Sequence, residues 1–237
     1  MKVNSQVTIL ELPMVFNNVE RILNLTLISD PLGGLTLVDT GLPNQVELIE
    51  AAMAKDGFSI DNIRQIVLTH HDLDHVGSLN ELVKRTGAKV IALKEEVPYI
   101  DGTLISTKYP SDEVLRNRPE LAKLLESCVP TAVDEPVVDR TILDSSGGAV
   151  VIATPGHTPG HLCLYLPMVK TLITGDALVS ENGVLKGPVE SATPDMEAAK
   201  QSVRKLTRVN VTTIVCYHGG LVADDANGQL QRLAMSL

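Results

Sequence analysis

The chain has 237 residues, of which 44% are hydrophobic and 21% charged, so it can bury a substantial core and lacks the composition of a disordered protein. Its formal net charge of -9 argues against nucleic acid and anionic membrane as partners, because both would repel an acidic surface. The three cysteines are too scattered for a disulfide framework, and with no secretory leader and no membrane-length apolar run we expect a cytoplasmic location.

The first half of the chain alternates between strand-like and helix-like patterns. Strands are predicted at residues 23–30, 34–41, 63–70 and 88–93, and helices at residues 44–57 and 78–87. A turn at residues 31–34 joins the first two strands. Asn44 and Ser78 are the expected N-caps of the two helices.

An irregular, proline-containing segment at residues 94–136 then interrupts this alternation. It contains one helix-like stretch, residues 118–128, in which Leu121, Leu124 and Leu125 form an apolar face. A segment of this length without a strand pattern is usually a lid or a binding loop. We expect a lid over a functional site and call residues 94–136 the lid insertion.

The second half of the chain repeats the theme of the first. Strands are predicted at residues 149–156, 161–167, 170–178 and 211–220, and a helix at residues 193–209 with Asp195 near its start. Strands that alternate with helices indicate the α/β class. Strand pairs without an intervening helix occur in both halves, which indicates mixed rather than purely parallel sheets.

Side chains suited to metal binding follow four of the predicted strands. One strand leads into residues 70–75, which hold three of the six histidines, and the others end near His157, Asp176 and His218. Any one of these residues alone has an ordinary explanation as a hydrogen-bonded histidine, a helix cap or a loop residue. Four strand ends in series predict that these groups converge on one edge of the fold, where loops carry function.

Five motifs, in this order, resemble the metallo-β-lactamase superfamily: LVDTG (residues 37–41), LTHHDLDHVG (68–77), TPGHTPGH (154–161), TGDAL (174–178) and YHGG (217–220). The resemblance covers nearly the whole chain. It implies a single domain over residues 1–237 with an αβ/βα sandwich fold, in which two mixed sheets are flanked by helices. It also implies an active site where the two halves meet, with two divalent metal ions bridged by a hydroxide, and it allows a homodimer.

The resemblance further implies two sets of metal ligands. The first ion would be held by His70, Asp72 and His157, the second by Asp74, His75 and His218, with Asp176 bridging both. Most members have histidine at the position of Asp72, and an anionic oxygen there shifts the preference toward iron or manganese, although zinc remains the first choice. Two alternatives stay open: His71 replaces Asp72 as the ligand, or only the second site fills tightly.

Three residues near these motifs are expected to act without binding metal. His161 is expected to be structural and to form hydrogen bonds near the site. Asp39 either orients a ligand imidazole or forms a turn. Cys216 is expected to be a buried thiol at a strand end.

The implied activity is that of a metal-dependent hydrolase, in which a metal-bridging hydroxide cleaves a small ester, thioester or lactone. Asp74 is the expected catalytic residue, because its carboxylate could orient the hydroxide and pass a proton to the leaving group. Val179 occupies the position of a tyrosine common in lactonases, and we do not expect the C-terminal domain of glyoxalase II enzymes. Two other classes stay open: an iron-dependent redox enzyme with a flavodiiron-like site, and a metal-stabilised scaffold without catalysis.

Overall fold

The structure, a computed structural model, describes residues 1–16, 19–30, 34–106 and 108–237. Six strands form the first sheet and lie side by side in chain order: Val7–Phe16 (β1), Val19–Ser29 (β2), Leu35–Val38 (β3), Ile63–Val67 (β4), Lys89–Leu93 (β5) and Glu135–Val137 (β6). The first three pair antiparallel, and β3 to β6 pair parallel. The first sheet is therefore mixed, as expected.

The second sheet also has six strands and is likewise mixed. From one edge to the other they are Gly220–Val222 (β14), Thr213–Cys216 (β13), Thr171–Ile173 (β10), Leu162–Leu166 (β9), Ala149–Ala153 (β8) and Ile142–Leu143 (β7). Only β10 and β13 pair parallel. A small separate hairpin is formed by Val179–Glu181 (β11) and Val184–Lys186 (β12).

In chain order the helices are Val46–Lys55 (α1), Leu73–Val76 (α2), Leu79–Thr86 (α3), Val97–Ile100 (α4), Asp112–Asn117 (α5), Pro119–Ser127 (α6), Met196–Leu206 (α7) and Ala226–Ser236 (α8). The helices α1 and α3 cover the outer face of the first sheet, and α7 and α8 cover that of the second. Short 3-10 turns lie at Ile60–Asn62, Asp144–Ser146 and Glu190–Ala192. Among the described residues, no helix has both the length and the hydropathy that a bilayer span requires.

The side chains of the strands build three apolar layers. In β4, Ile66 packs in the layer that the first sheet shares with α1 and α3, whereas Val67 faces the central layer between the sheets. In β13, Val215 faces the same central layer, and Ile214 packs against α7 and α8. Adjacent strand residues point to opposite faces, so each sheet contributes to two layers. The expected αβ/βα sandwich is confirmed, and the single domain over residues 1–237 stays a prediction.

The ends of the predicted helices were only partly correct. The first helix has Gln45 at its N-cap position, and Asn44 lies outside it with a left-handed φ of 64°, so the N-cap assignment of Asn44 was wrong. Ser78 precedes α3, but its hydroxyl bonds a neighbouring loop instead of capping the helix. Asp195 does cap α7 through a 3.0 Å bond. The turn predicted at residues 31–34 falls mostly outside the described residues.

The lid insertion is anchored at its two ends and open in the middle. Ile100 at the end of α4 is buried in the outer layer of the first sheet, and the insertion finishes in β6 of that sheet. No residue of α5 or α6 is fully buried, and Leu121, Leu124 and Leu125 are only half-buried. The expected apolar face of the lid helix is therefore incompletely covered.

Candidate metal centre

The loops that leave β4, β8, β10 and β13 meet at one edge of the sandwich. They bring all seven predicted ligands together in three overlapping triads, within each of which the nitrogen and oxygen atoms lie within 4.8 Å of one another. These triads are His70–His75–Asp176, His70–Asp72–His157 and Asp74–His75–His218. Each triad includes at least one residue from the first sheet's side and one from the second's. The centre therefore spans the boundary between the two halves.

The first triad of the predicted pair gathers around the carboxylate of Asp72. The Oδ2 atom of Asp72 lies 3.0 Å from Nε2 of His157 and 3.4 Å from Nε2 of His70. A cation is already present at this position, because Nζ of Lys108 contacts the Asp72 carboxylate directly and lies 3.0 Å from Nε2 of His157. Lys108 belongs to the lid insertion, and its presence was not predicted.

The second triad gathers around the carboxylate of Asp74. The Oδ2 atom of Asp74 lies 3.3 Å from Nε2 of His218 and 3.8 Å from Nε2 of His75. The side chain of Asp74 is 25% exposed, so it faces the mouth of the site while the ring of His75 is fully buried. An accessible carboxylate beside buried imidazoles is suited to exchange protons with a substrate or solvent molecule.

Asp176 lies between the two triads. One of its oxygens is 3.3 Å from Nε2 of His75, and the other is 3.6 Å from Nε2 of His157 and 3.5 Å from Nε2 of His218. The preceding Gly175 permits this position, because it has a φ of +48° and a Cβ there would lie 2.8 Å from Oγ1 of Thr69. A side chain at residue 175 would therefore push Asp176 away from both triads.

Several buried polar atoms at the centre have no hydrogen-bond partner. They include Nε2 of His70, Nε2 of His75 and Oδ1 of Asp176. Burying such atoms unpaired is costly, and native proteins seldom do so without a ligand or ion. Imidazole nitrogens and carboxylate oxygens are also ligands of zinc, iron and manganese. The chemistry and the unpaired state of these atoms fit a metal centre.

Asp39 and Thr69 fix the orientation of the two buried imidazoles. Asp39 accepts the backbone N–H of Thr69 and its hydroxyl, both at 2.8 Å, and lies 2.9 Å from Nδ1 of His75. Because the Thr69 hydroxyl donates to Asp39, it is left to accept from Nδ1 of His70 at 3.0 Å. Both rings then carry a proton on Nδ1 and offer the lone pair of Nε2 to the centre. Asp39 also has a φ of 63°, so it is a turn residue as well.

His71 points away from the centre toward the lid insertion. Its Nδ1 and its backbone N–H both bond the fully buried carboxylate of Glu96, its Nε2 lies 2.8 Å from Oγ of Ser106, and its ring stacks on Tyr99. Glu96 also accepts the backbone N–H of Gly160 at 2.7 Å. In the described part of the chain the triads contain Asp72 and not His71.

Two neighbours of the ligands are occupied by hydrogen bonds. His161 accepts the backbone N–H of Asp176 at 3.1 Å and bonds Thr154 through its other nitrogen at 2.8 Å. Tyr217 donates its hydroxyl to the backbone carbonyl of Asp74, and its ring packs 3.9 Å from that of His75. Both residues therefore hold in place the loops that carry Asp176 and Asp74.

The pKa values at the centre record a dense set of opposite charges. Burial lowers the pKa of His70 well below its usual value. Burial acts in the same direction on His75, but the carboxylates of Asp39 and Asp176 outweigh it and hold its pKa well above the usual value. Burial is likewise outweighed at His218, where Asp176 helps to raise the pKa to about 10. The nearby carboxylates therefore favour an extra proton on His75 and on His218, as they would favour a metal cation, whereas His70 stays neutral.

A small cavity of about 190 Å³ opens beside His157. Polar side chains line it together with apolar ones; the polar residues are His71, Lys108, His157, Thr158 and Asp195, and the apolar residues include Pro155, Pro159, Pro194 and Ala198. A cavity of this size is below the usual range for drug-sized ligands, so it fits a small substrate group.

Comparisons with known proteins agree with this geometry. The family described as "Metallo-beta-lactamase superfamily" matches residues 20–218. The chain is 29% identical over 210 residues to the probable metallo-hydrolase YflN of Bacillus subtilis, covering 77% of this chain and 74% of that protein. It is also 29% identical over 226 residues to a hydroxyacylglutathione hydrolase of Brucella anthropi, covering 89% of this chain and 70% of that protein. A metallo-beta-lactamase family protein from Thermus thermophilus has the same fold, with a TM-score of 0.77 and 23% identity over 99% of this chain and 80% of that chain.

Proposed function

The chain belongs to the metallo-β-lactamase superfamily of metallo-hydrolases, and from that premise we propose that it cleaves a small ester, thioester or lactone. The observation that carries this proposal is the set of overlapping His/Asp triads at one edge of the sandwich, in which several buried nitrogen and oxygen atoms have no hydrogen-bond partner. The relative named a hydroxyacylglutathione hydrolase supports an acyl substrate.

We assign two divalent metal ions to the centre. His70, Asp72 and His157 would hold the first, Asp74, His75 and His218 the second, and Asp176 would contact both. When bound, such ions polarise a substrate carbonyl and acidify a water molecule. Zinc is the first choice on the four imidazoles, and the oxygen of Asp72 adds affinity for iron or manganese.

Asp74 is the residue we assign to proton transfer. Its carboxylate is partly exposed at the mouth of the site, and the Tyr217 hydroxyl fixes its backbone carbonyl. From this position Asp74 would orient the attacking water, accept its proton and deliver that proton to the leaving group. Asp39 would keep the imidazole of His75 in the orientation that this arrangement needs.

The expected partner is a small molecule, not nucleic acid or a membrane. The size of the cavity beside His157 and the net charge of -9 support this expectation. Exposed apolar side chains of the lid insertion, such as Leu104, Ile105 and Tyr109, support a homodimer. The free buried thiols of Cys163 and Cys216 suit a reducing compartment, which supports the cytoplasm.

The test is a panel of p-nitrophenyl esters, thioesters and lactones with protein stripped of metal and reloaded with zinc, manganese or iron(II). We expect hydrolysis by the wild type and a loss of about 100-fold or more for Asp74→Ala, because general acid–base groups contribute on this scale. Asp112→Ala, which removes an exposed carboxylate of α5, is the matched control and should keep wild-type rates. Equal rates for wild type and Asp74→Ala would refute the catalytic assignment.

Measuring oxygen consumption with an oxygen electrode distinguishes the hydrolase from the alternative of an iron-dependent redox enzyme. The carboxylate of Asp72 in the first triad favours that alternative. Oxygen uptake by the iron-loaded protein without hydrolysis would show that the protein is an oxidoreductase and not a hydrolase. Metal binding with neither activity would leave a metal-stabilised scaffold.

A further inference from the structure

Lys108 places an ammonium group at the first metal site and leaves the second site without one. Its Nζ contacts both the Asp72 carboxylate and Nε2 of His157, two of the three ligands assigned to the first metal. Among the described residues, neither Asp74 nor His218 has a lysine or arginine partner. In the metal-free protein, the side chain of a lysine therefore contacts the ligands of the first site but not those of the second.

The ammonium and a metal ion use the same atoms. A bond from Nζ to Nε2 of His157 requires the lone pair that would otherwise coordinate the metal. The Asp72 oxygen that contacts Nζ is also the one nearest to His70 and His157. Two cations a few ångströms apart repel each other strongly when partly shielded from water, and the Lys108 side chain is only 20% exposed. Binding of the first metal therefore requires Lys108 to move.

A chain of hydrogen bonds from the core holds the lid insertion in the position that delivers Lys108. The buried Glu96 orients His71, and Nε2 of His71 bonds Oγ of Ser106 at 2.8 Å. The same Ser106 hydroxyl accepts the backbone N–H of Lys108 at 3.2 Å. These hydrogen bonds therefore fix the backbone at Lys108 beside the site, so an opening of this part of the insertion would carry the ammonium away from Asp72.

We propose that Lys108 competes with the metal ion at the first site, so that the two sites fill in order. The Asp74–His75–His218 site fills first, and the His70–Asp72–His157 site fills only as Lys108 withdraws and the lid insertion opens. This proposal rests on the metal centre of the proposed function. It predicts a protein that binds one metal ion tightly and a second metal ion more weakly.

The experiment is a zinc titration of metal-stripped protein in competition with a chromophoric chelator, with stoichiometry from elemental analysis. We expect two separated dissociation constants for the wild type. Lys108→Met and, as a second variant, Lys108→Gln should tighten the weaker site about tenfold and leave the tighter site unchanged, the scale expected for removing a partly exposed charge-assisted contact. Lys123→Met removes an exposed lysine of the same insertion, without an ion pair in the described part of the chain, and should match the wild type.

Trypsin cleavage provides a readout that does not depend on affinity. Trypsin cuts after lysine, and the Lys108 side chain is only 20% exposed while it contacts Asp72, so cleavage of the Lys108–Tyr109 bond should accelerate with the second equivalent of zinc and not with the first. Two equally tight sites in the wild type, or an unchanged weaker site in both Lys108 variants, would overturn the proposal and leave the proposed function standing. Failure of every protein to bind zinc would instead refute the metal centre itself.

Discussion

Replacing Asp39 by asparagine exchanges a hydrogen-bond acceptor for a donor beside a ligand imidazole. The Asp39 carboxylate is 1% exposed, and its Oδ2 accepts from the Thr69 hydroxyl at 2.8 Å and from Nδ1 of His75 at 2.9 Å. Its Oδ1 accepts the backbone N–H of Thr69 at 2.8 Å. If the asparagine oxygen keeps the Thr69 backbone bond, its amide group faces two other donors.

The expected loss of metal affinity depends on how His75 responds to facing a second hydrogen-bond donor. His75 can move its proton to Nε2 and accept the amide through Nδ1, but its lone pair then no longer points into the centre. Loss of such an orienting partner typically costs 10–100-fold in metal affinity, about 1.4–2.8 kcal/mol. We therefore expect Asp39→Asn to weaken the site that contains His75 by about 10–100-fold. The metal-free protein should also lose about 1–3 kcal/mol of stability, because buried donors are left unpaired.

The assay is zinc competition against a chelator, with urea unfolding of the metal-free protein in parallel. Asp61→Asn removes the same charge from a side chain that is 72% exposed, so it controls for long-range electrostatics and should change neither quantity appreciably. An Asp39→Asn protein that binds zinc with wild-type affinity at both sites would refute the orienting role of Asp39.

Three further outcomes are expected. In urea unfolding, Gly175→Ala should destabilise the protein by about 1–3 kcal/mol more than Gly57→Ala. Both glycines have a positive φ, but only at residue 175 would an added Cβ meet other atoms, side-chain atoms 2.8 and 2.9 Å away. Equal losses of stability in the two variants would contradict this steric explanation. His71→Ala should still bind two zinc ions per chain by elemental analysis, whereas Asp72→Ala should bind one; the opposite result would make His71 the ligand. The raised pKa of His218, about 10 against a usual 6.5, stabilises the metal-free protein fully below pH 6.5, and this contribution is lost as the pH rises toward 10. The unfolding free energy of the wild type should therefore fall across that window, and that of His218→Asn should fall less; parallel curves would count against this interpretation.

The loops that carry the candidate ligands could be predicted because their signals are local. A short apolar strand that runs directly into a cluster of histidines and aspartates places those groups at a strand exit, whatever the tertiary context. Asp195 followed by helical spacing likewise predicted a cap that the structure contains. The order of such strands along the chain was enough to expect their polar groups on one edge of the fold, whereas the sandwich was expected from the resemblance of five motifs to a known family.

The residues that depend on tertiary packing could not be predicted. Glu96 follows another glutamate in an irregular segment, and nothing local shows that it is fully buried beneath His71. Lys108 resembles any exposed lysine until the fold of the lid insertion brings it to Asp72. Thr69 attracts no attention beside three histidines, although it orients one of them.

Some elements were missed for reasons of composition. The long strand β1 contains Pro13, and a proline argues against a strand in sequence analysis because it cannot donate a hydrogen bond to a neighbouring strand. The register of β1 with β2 is set by pairing across the sheet. The helix α8 contains Gly228, a weak helix former, and packs by its buried Leu230 against the second sheet.

The division of the triads between the two sheets bears on when the proposed metal centre can form during biosynthesis. Every triad needs a contribution from the chain beyond residue 150, namely His157, Asp176 or His218. A nascent polypeptide that has left the ribosome only as far as the lid insertion presents no complete coordination set. The Asp74–His75–His218 triad needs residue 218, so the second of the proposed metal sites can load only after almost the whole chain has been translated.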